Sequence, residues 1–305
     1  MDTWQEVRKG LFVADAEVES ARFLERMVDM ARRNGASLTV VHCLEEPSRW
    51  SSAQAKEVHA LLRREWQREL EKLSAAHSGH GLTVDSLLLT GDPVKEIATL
   101  VERDGYDFVA KVASDQEERG RLSSTEIDLI RRCPCNVWID RPPRAGDRYQ
   151  TVLLAVDCMD PDHEQLNHEM ITGAVRFCEA EDATLHVLHV WNLPGETMLR
   201  GRSFTGSGKI DAMVEHERRL HERAFEAMLE SYASLGERLK RHLVKGRPMG
   251  VVMDLTATCQ VDLLVMGAGV KAGIGGWLLG SSAEQVLKVV PCAVFAEKRR
   301  RSKAT

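Results

Sequence analysis

The sequence lacks a long hydrophobic run, a leader pattern, a paired set of cysteines and an excess of either charge. No apolar stretch approaches the roughly 18 residues a membrane helix needs, and the first residues do not read as a secretory signal. Seven cysteines at irregular spacing are not a disulfide framework. With 41 basic and 46 acidic residues the formal charge is −5, which gives no footprint for nucleic acid. The expectation is a soluble cytoplasmic protein with neither nucleic acid nor membrane as partner. The basic tail "KRRRSK" from Lys298 reads as a solvated terminus.

Catalytic constellations are also missing. No Ser, His and acid set stands at a strand end, and no carboxylate pair is arranged for glycoside chemistry. "HEQLNH" (His163 to His168) and "HERRLH" (His216 to His221) imitate zinc-protease motifs, but their histidines are five apart. Five residues turn a helix by about 500°, which splays the rings, so both read as solvated helix faces. "GRSFTGSGKI" from Gly201 misses the first glycine and the closing Ser or Thr of a P-loop, and reads as a loop over a pocket that Lys209 approaches. Cys133 and Cys135, either side of Pro134, read as packing residues. His42 and His189 read as core histidines, and His186 and His189, three apart on a strand, face opposite ways.

What the 305 residues do contain is a repeat. "GLFVADAEVES" from Gly10 matches "VLLAVDCMDPD" from Val152, aligning Asp15 with Asp157. "ASLTVVHCL" from Ala36 matches "ATLHVLHVW" from Ala183, and "LLLTGDP" from Leu87 matches "HLVKGRP" from His242. "YDFVAKVA" from Tyr106 matches "VDLLVMGA" from Val261, and "RCPCNVWID" from Arg132 matches "VVPCAVFAE" from Val289. The matched runs are short and apolar with little alternation, as in strands buried on both faces of a parallel sheet. Helical spacing fills Glu17 to Arg33, Gln54 to Ala75, Glu164 to Ala180 and Ile210 to Ser234. Each half therefore reads as a doubly wound α/β domain of five parallel strands with helices on both faces. The domains span residues 1–143 and 149–298, with Asp140 to Gln150 as linker.

The halves part company after their fourth strand. In the second, Val265 to Leu287 ("VMGAGVKAGIGGWLLGSSAEQVL") holds six glycines between strand and helix. Glycine permits close backbone approach and positive φ, so consecutive amides can form an anion-binding nest, with Ser281 and Ser282 as hydroxyl donors and Lys271 as a charge. In a parallel sheet ligands bind beyond the strand ends where strand order reverses, which gathers the loops after Val156, Val190 and Met266. In the first half the same stretch, Val109 to Ile130, has the single glycine Gly120. Asp115, Glu117 and Glu118 stand near the expected phosphate path, and Ser123 or Ser124 caps the following helix.

"DLLVMGAGVKAGIGGWLLGSSAEQVLKVVPCAVFA" resembles the closing segment of universal stress proteins. The family frame of glycine, two residues, glycine, nine residues, glycine and Ser or Thr falls on Gly267, Val270, Gly280 and Ser281, with valine in place of the second glycine. The order of elements in both halves is similar to that of the tandem E-type members. The resemblance implies two flavodoxin-like (adenine nucleotide alpha hydrolase-like) domains, packed as an intramolecular pseudo-dimer through their fifth strands. It implies ATP, with Mg2+ as companion, in the C-terminal half. Ala155, Val156 and Asp157 would then flank the adenosine, Val190 would frame the adenine, and Met266, Gly267, Gly269, Val270, Lys271, Gly280, Ser281 and Ser282 would form the phosphate loop. The function so implied is a stress-response binding and signalling protein, with any ATP hydrolysis slow and incidental because no base stands ready to position water. Two alternatives stay open, a scaffold with no nucleotide or another small ligand, and a nucleotide-dependent enzyme of a related α/β class. Whether two chains form a homodimer is open as well.

Overall fold

The computed structural model describes residues 7–15, 18–48, 52–79, 81–114, 121–143, 148–201, 207–268, 270–272, 276–278 and 280–298. The first half runs β1 (Lys9–Val13), α1 (Val18–Asn34), β2 (Ser37–Leu44), α2 (Ala53–His77), β3 (Val84–Thr90), α3 (Pro93–Asp104), β4 (Phe108–Val112), α4 (Ser124–Arg132) and β5 (Asn136–Asp140). The second runs β6 (Thr151–Val156), α5 (Glu164–Glu181), β7 (Thr184–Trp191), α6 (Glu196–Gly201), α7 (Ser207–Leu229), β8 (Leu239–Lys245), α8 (Pro248–Thr258) and β9 (Leu263–Gly267). It closes with β10 (Val270–Ala272), β11 (Gly276–Leu278), α9 (Ser281–Leu287) and β12 (Ala293–Glu297).

All ten long strands belong to one sheet, in the order β3-β2-β1-β4-β5-β12-β9-β6-β7-β8. Within each half the pairing is parallel. The halves meet where β5 and β12 run antiparallel, with Trp138 opposite Phe295. Strand order reverses between β1 and β4, and again between β6 and β9, so each half offers one crevice at its strand ends.

Both faces of this sheet are covered, which explains the unbroken apolar strands: β4, β5 and β12 are buried throughout. One core packs α1, α5 and α7 against one face through Phe23, Met27, Met170 and Phe225, and the other packs α3, α4, α8 and α9 through Ile97, Ile130, Val252 and Leu287. On the first face Arg26 of α1 pairs with Glu181 of α5 at 2.6 Å. On the second, Arg131 of α4 pairs with Glu284 of α9 at 3.2 Å.

The repeat extends to single bonds. Asp107 Oδ2 accepts the amides of Arg8 and Lys9 at 2.7 and 2.9 Å, and Asp262 Oδ2 accepts those of Gln150 and Thr151 at 2.8 and 3.1 Å. Each carboxylate thus brackets the start of its half's first strand. Two expectations need adjustment. The helix expected to reach Ser234 ends at Leu229 and continues as 3-10 turns to Arg238. The linker is not simply solvated at its ends: Asp140 and Tyr149 are buried and the Tyr149 hydroxyl donates to the Asp140 carboxylate.

Candidate functional site

The crevice of the second half is built by strand register. Ala155 lies opposite Met266, and Val156 opposite His189, so the ends of β6, β7 and β9 reach one edge together. Met266 is buried, Ala155 and Val190 are partly buried, and Asp157 is exposed just beyond β6. Asn167 of α5 fixes that turn by donating to the Asp157 carbonyl at 2.6 Å. Gly267 is tightly packed, since a Cβ there would meet Leu166 Cδ2 at 3.1 Å. Gly280, the N-cap of α9, is different: among the described residues a Cβ there would meet nothing within 4 Å, and no side chain caps the helix. Ser281 and Ser282 follow it as exposed residues of the first turn.

Between β9 and α9 the chain is not an open nest along its whole length. Val270 lies opposite Leu278 and Lys271 opposite Trp277 in the antiparallel pair of β10 and β11. Extended backbone suits a β-branched residue, so valine replaces the family glycine at no conformational cost there. β11 runs beside α4 of the other half. Gly269 lies outside the described residues, as do Gly273, Asp115, Glu117, Glu118 and Gly120.

Histidines that stand singly in the sequence are paired by the fold. Neutral rings share a hydrogen bond only while one nitrogen keeps its lone pair. His189 Nδ1 contacts the Val156 carbonyl at 3.1 Å and its Nε2 contacts His221 Nδ1 at 2.7 Å. Burial, with His221 beside it, holds His189 below the usual imidazole range. His186 Nδ1 meets His242 Nε2 at 2.9 Å, and burial, aided by that neighbour, pushes His186 down to about 4. His221 is buried on α7, not on a solvated face. The first half keeps one counterpart: His42 Nδ1 contacts the Ala14 carbonyl at 2.8 Å, and its ring stacks on Trp66 at 3.5 Å. Cys133, Cys135 and Cys292 are buried, and desolvation raises the Cys133 thiol to about 12, so these thiols pack and do not react.

Among the described residues one cluster has donors for a metal. Single ligand atoms of Asp157, Asp160 and His163 all lie within 4.8 Å of one another, just past β6. Two carboxylate oxygens suit a hard cation such as Mg2+, and the imidazole suits it less.

The first half's crevice holds a residue that sequence reasoning passed over. Lys111 of β4 is 7% exposed, and its ammonium lies 2.8 Å from Asp15 Oδ2. A charge inside an otherwise apolar strand was the available signal, because a buried ammonium must find oxygen partners.

Known proteins agree with this architecture. The profile of the family described as "Universal stress protein family" matches residues 6–141 and 148–296. The chain belongs to the universal stress protein family, with two of its domains in tandem. It is similar to Universal stress protein E of Escherichia coli K12, 29% identical over 213 residues, which are 68% of this chain and 65% of that protein. The homologue from Haemophilus influenzae is 24% identical over 206 residues, 65% of this chain and 64% of its own length. The match thus spans a little under two thirds of these relatives. Among solved structures, a functionally unknown protein of Pseudomonas aeruginosa PAO1 has a TM-score of 0.67 at 21% identity, covering 98% of this chain and 95% of that one. A universal stress protein from Archaeoglobus fulgidus DSM 4304 has a TM-score of 0.63 at 19% identity, covering 99% of this chain and all (100%) of its own. At such identities these likenesses concern the fold. No helix among the described residues is long and apolar enough to cross a membrane.

Proposed function

We propose that the C-terminal half binds an adenine nucleotide, ATP being the form its glycine loop suits, and that the chain is a cytoplasmic stress-response protein acting through partners and not through turnover. The observation carrying this reading is the contrast at the strand ends. Among the described residues nothing lies within 4 Å of a Cβ placed at Gly280 in the crevice of β6 and β9, while the matched crevice holds its own charged groups. Ala155, Val156 and Val190 supply the apolar ledge for a base, Asp157 a carboxylate acceptor, and Gly267, Gly280, Ser281 and Ser282 the donors for phosphate. The donor set fits the group, since amide N–H and hydroxyl groups are what phosphate oxygens accept from. Mg2+ accompanying ATP would neutralise phosphate charge, with Asp157 and Asp160 available as oxygen ligands. Occupancy would favour one arrangement of the β9–α9 segment, which runs beside α4 and so reaches the other half.

Equilibrium dialysis with ATP tests this directly. Gly280 has φ −60° and open space at its Cβ, so Gly280→Val keeps the fold and crowds the ligand alone. We expect saturable binding by the native chain, at least about tenfold weaker in the variant (about 1.4 kcal/mol), with ATP recovered unchanged after long incubation. No binding at millimolar ATP would leave the scaffold alternative.

A further inference from the structure

The buried lysine of β4 is part of a complete ionic cluster. Lys111 Nζ donates to Val112 O at 2.7 Å, to Asp15 Oδ2 at 2.8 Å and to Ser114 Oγ at 3.4 Å, and Glu126 Oε1 lies 3.7 Å away. Glu126, in the first turn of α4, has no exposed surface (0%). Its Oε1 accepts the Ser114 amide at 2.6 Å and the Ser114 hydroxyl at 2.8 Å, and its Oε2 accepts the Ser123 amide at 2.7 Å. The Ser123 bond belongs to a capping box, in which Glu126 N also donates to Ser123 Oγ at 3.3 Å. A capping box accounts for neither of the Ser114 bonds, which tie the helix to the end of β4, nor for the ammonium beside them.

The matched positions of the second half differ at every one of these groups. Lys111 falls on Met266, Ser114 on Gly269, Ser123 on Gly280 and Glu126 on Ala283. A strand-end amide, a hydroxyl, a helix-cap amide and an ammonium are together the donors with which proteins hold phosphate. In the first half they hold a carboxylate of the same chain, and in the second the residue at that place is alanine.

We propose that the N-terminal half is self-liganded: the Glu126 carboxylate occupies the phosphate place of its strand-end crevice, with Lys111 as counter-charge and Asp15 completing the cluster. That half is closed to nucleotide, and the chain binds one nucleotide per polypeptide. The stoichiometry rests on the reading of the C-terminal half given above; the self-liganding does not.

Two measurements on the full chain test the proposal. Equilibrium dialysis with ATP should saturate at one per chain, and two per chain would overturn it. None would overturn the nucleotide reading of the other half and leave self-liganding to the second measurement, thermal unfolding in inorganic phosphate. Glu126→Ala, which installs the residue of the other half, should lower Tm by roughly 6 °C or more. Tens of millimolar phosphate should restore a good part of that loss, beyond any shift of the native chain, and the double variant Lys111→Met/Glu126→Ala should show no such gain. Equal phosphate shifts in native chain and Glu126→Ala would overturn the proposal. Should Glu126→Ala not fold, Asp15→Asn and Lys111→Met form a cycle. Joint loss smaller than the sum of the single losses supports the cluster, and additive losses overturn it.

Discussion

Where β9 carries Met266, β4 carries Lys111, and the strand ends diverge from that point. The lysine holds Asp15 at 2.8 Å, whereas the matched Asp157 is exposed, accepts the nearby Met159 amide at 3.1 Å and lies 3.9 Å from His163 Nδ1. The helix that follows is capped by Ser123 and Glu126 in one half and by a bare glycine in the other. Two copies of one fold thus end differently at the same place, one with its own side chains bonded to the strand-end and cap amides and one with a glycine cap that takes no side-chain bond among the described residues. Both strand-end loops still feed the core on that face, through Ala113 and Leu122 in the first half and Ala268 in the second.

The comparison breaks most easily at what the halves share. Asp107→Asn and Asp262→Asn each remove a carboxylate that accepts two strand amides, and each should cost about 1.5–3 kcal/mol in denaturant unfolding. Similar costs would show the bracket to be one device used twice; a large difference would show that one half dominates stability.

Acid should act in opposite directions on the C-terminal histidine pairs and on the end of β5. His186, His189 and His242 are held below the usual imidazole range by burial. Their unfolded forms take up protons near pH 6.5, so the stability they contribute is present above that pH and is lost as pH falls toward about 4. Asp140, at the end of β5, runs the other way: burial raises it to about 6, so folding gains relative to neutral pH as the group protonates below that value. Between pH 7 and 5 we expect opposite shifts of about 1 kcal/mol around the C-terminal histidine pairs and around Asp140, the solvent-screened, half-buried rings giving no more. Hydrogen exchange read by mass spectrometry, corrected for the intrinsic effect of pH, resolves them, and parallel shifts would refute the assignment.

A smaller effect sharpens the backbone comparison. After α3 the chain turns through Gly105 at φ 68°, and after α8 through Gln260 at φ 51°. Only the second places a side chain in the left-handed region. Gln260→Gly should stabilise, and Gly105→Gln destabilise, by about 0.5–1 kcal/mol in thermal unfolding, because space at Gly105 is open and only backbone conformation is at stake.

Much of this was legible in advance. Strands buried on both faces leave continuous apolar runs, so the repeat of "YDFVAKVA" by "VDLLVMGA" was visible, and with it the fold and the helices between. A cap at Ser123 or Ser124 was readable from the acid soon after, and the fold uses Ser123. The histidine pairs were not, since His189 and His221 are 32 residues apart and meet only when α7 lies over β7. Nor was the hairpin of β10 and β11, where glycine content suggested an open loop and Val270 instead takes extended backbone. The order of the sheet's junction, β5 against β12, came from the sequence only through family resemblance.

By itself the sequence determined two α/β units, their order of elements and the difference in glycine content between their strand-end loops, because periodicity and backbone permissiveness are local properties. Only tertiary structure decided what fills the crevice of the first half. The partners of Lys111 come from the loop after β1, from β4 and the turn after it, and from α4, and a buried charge is satisfied through space by whatever oxygens the fold brings within about 3 Å.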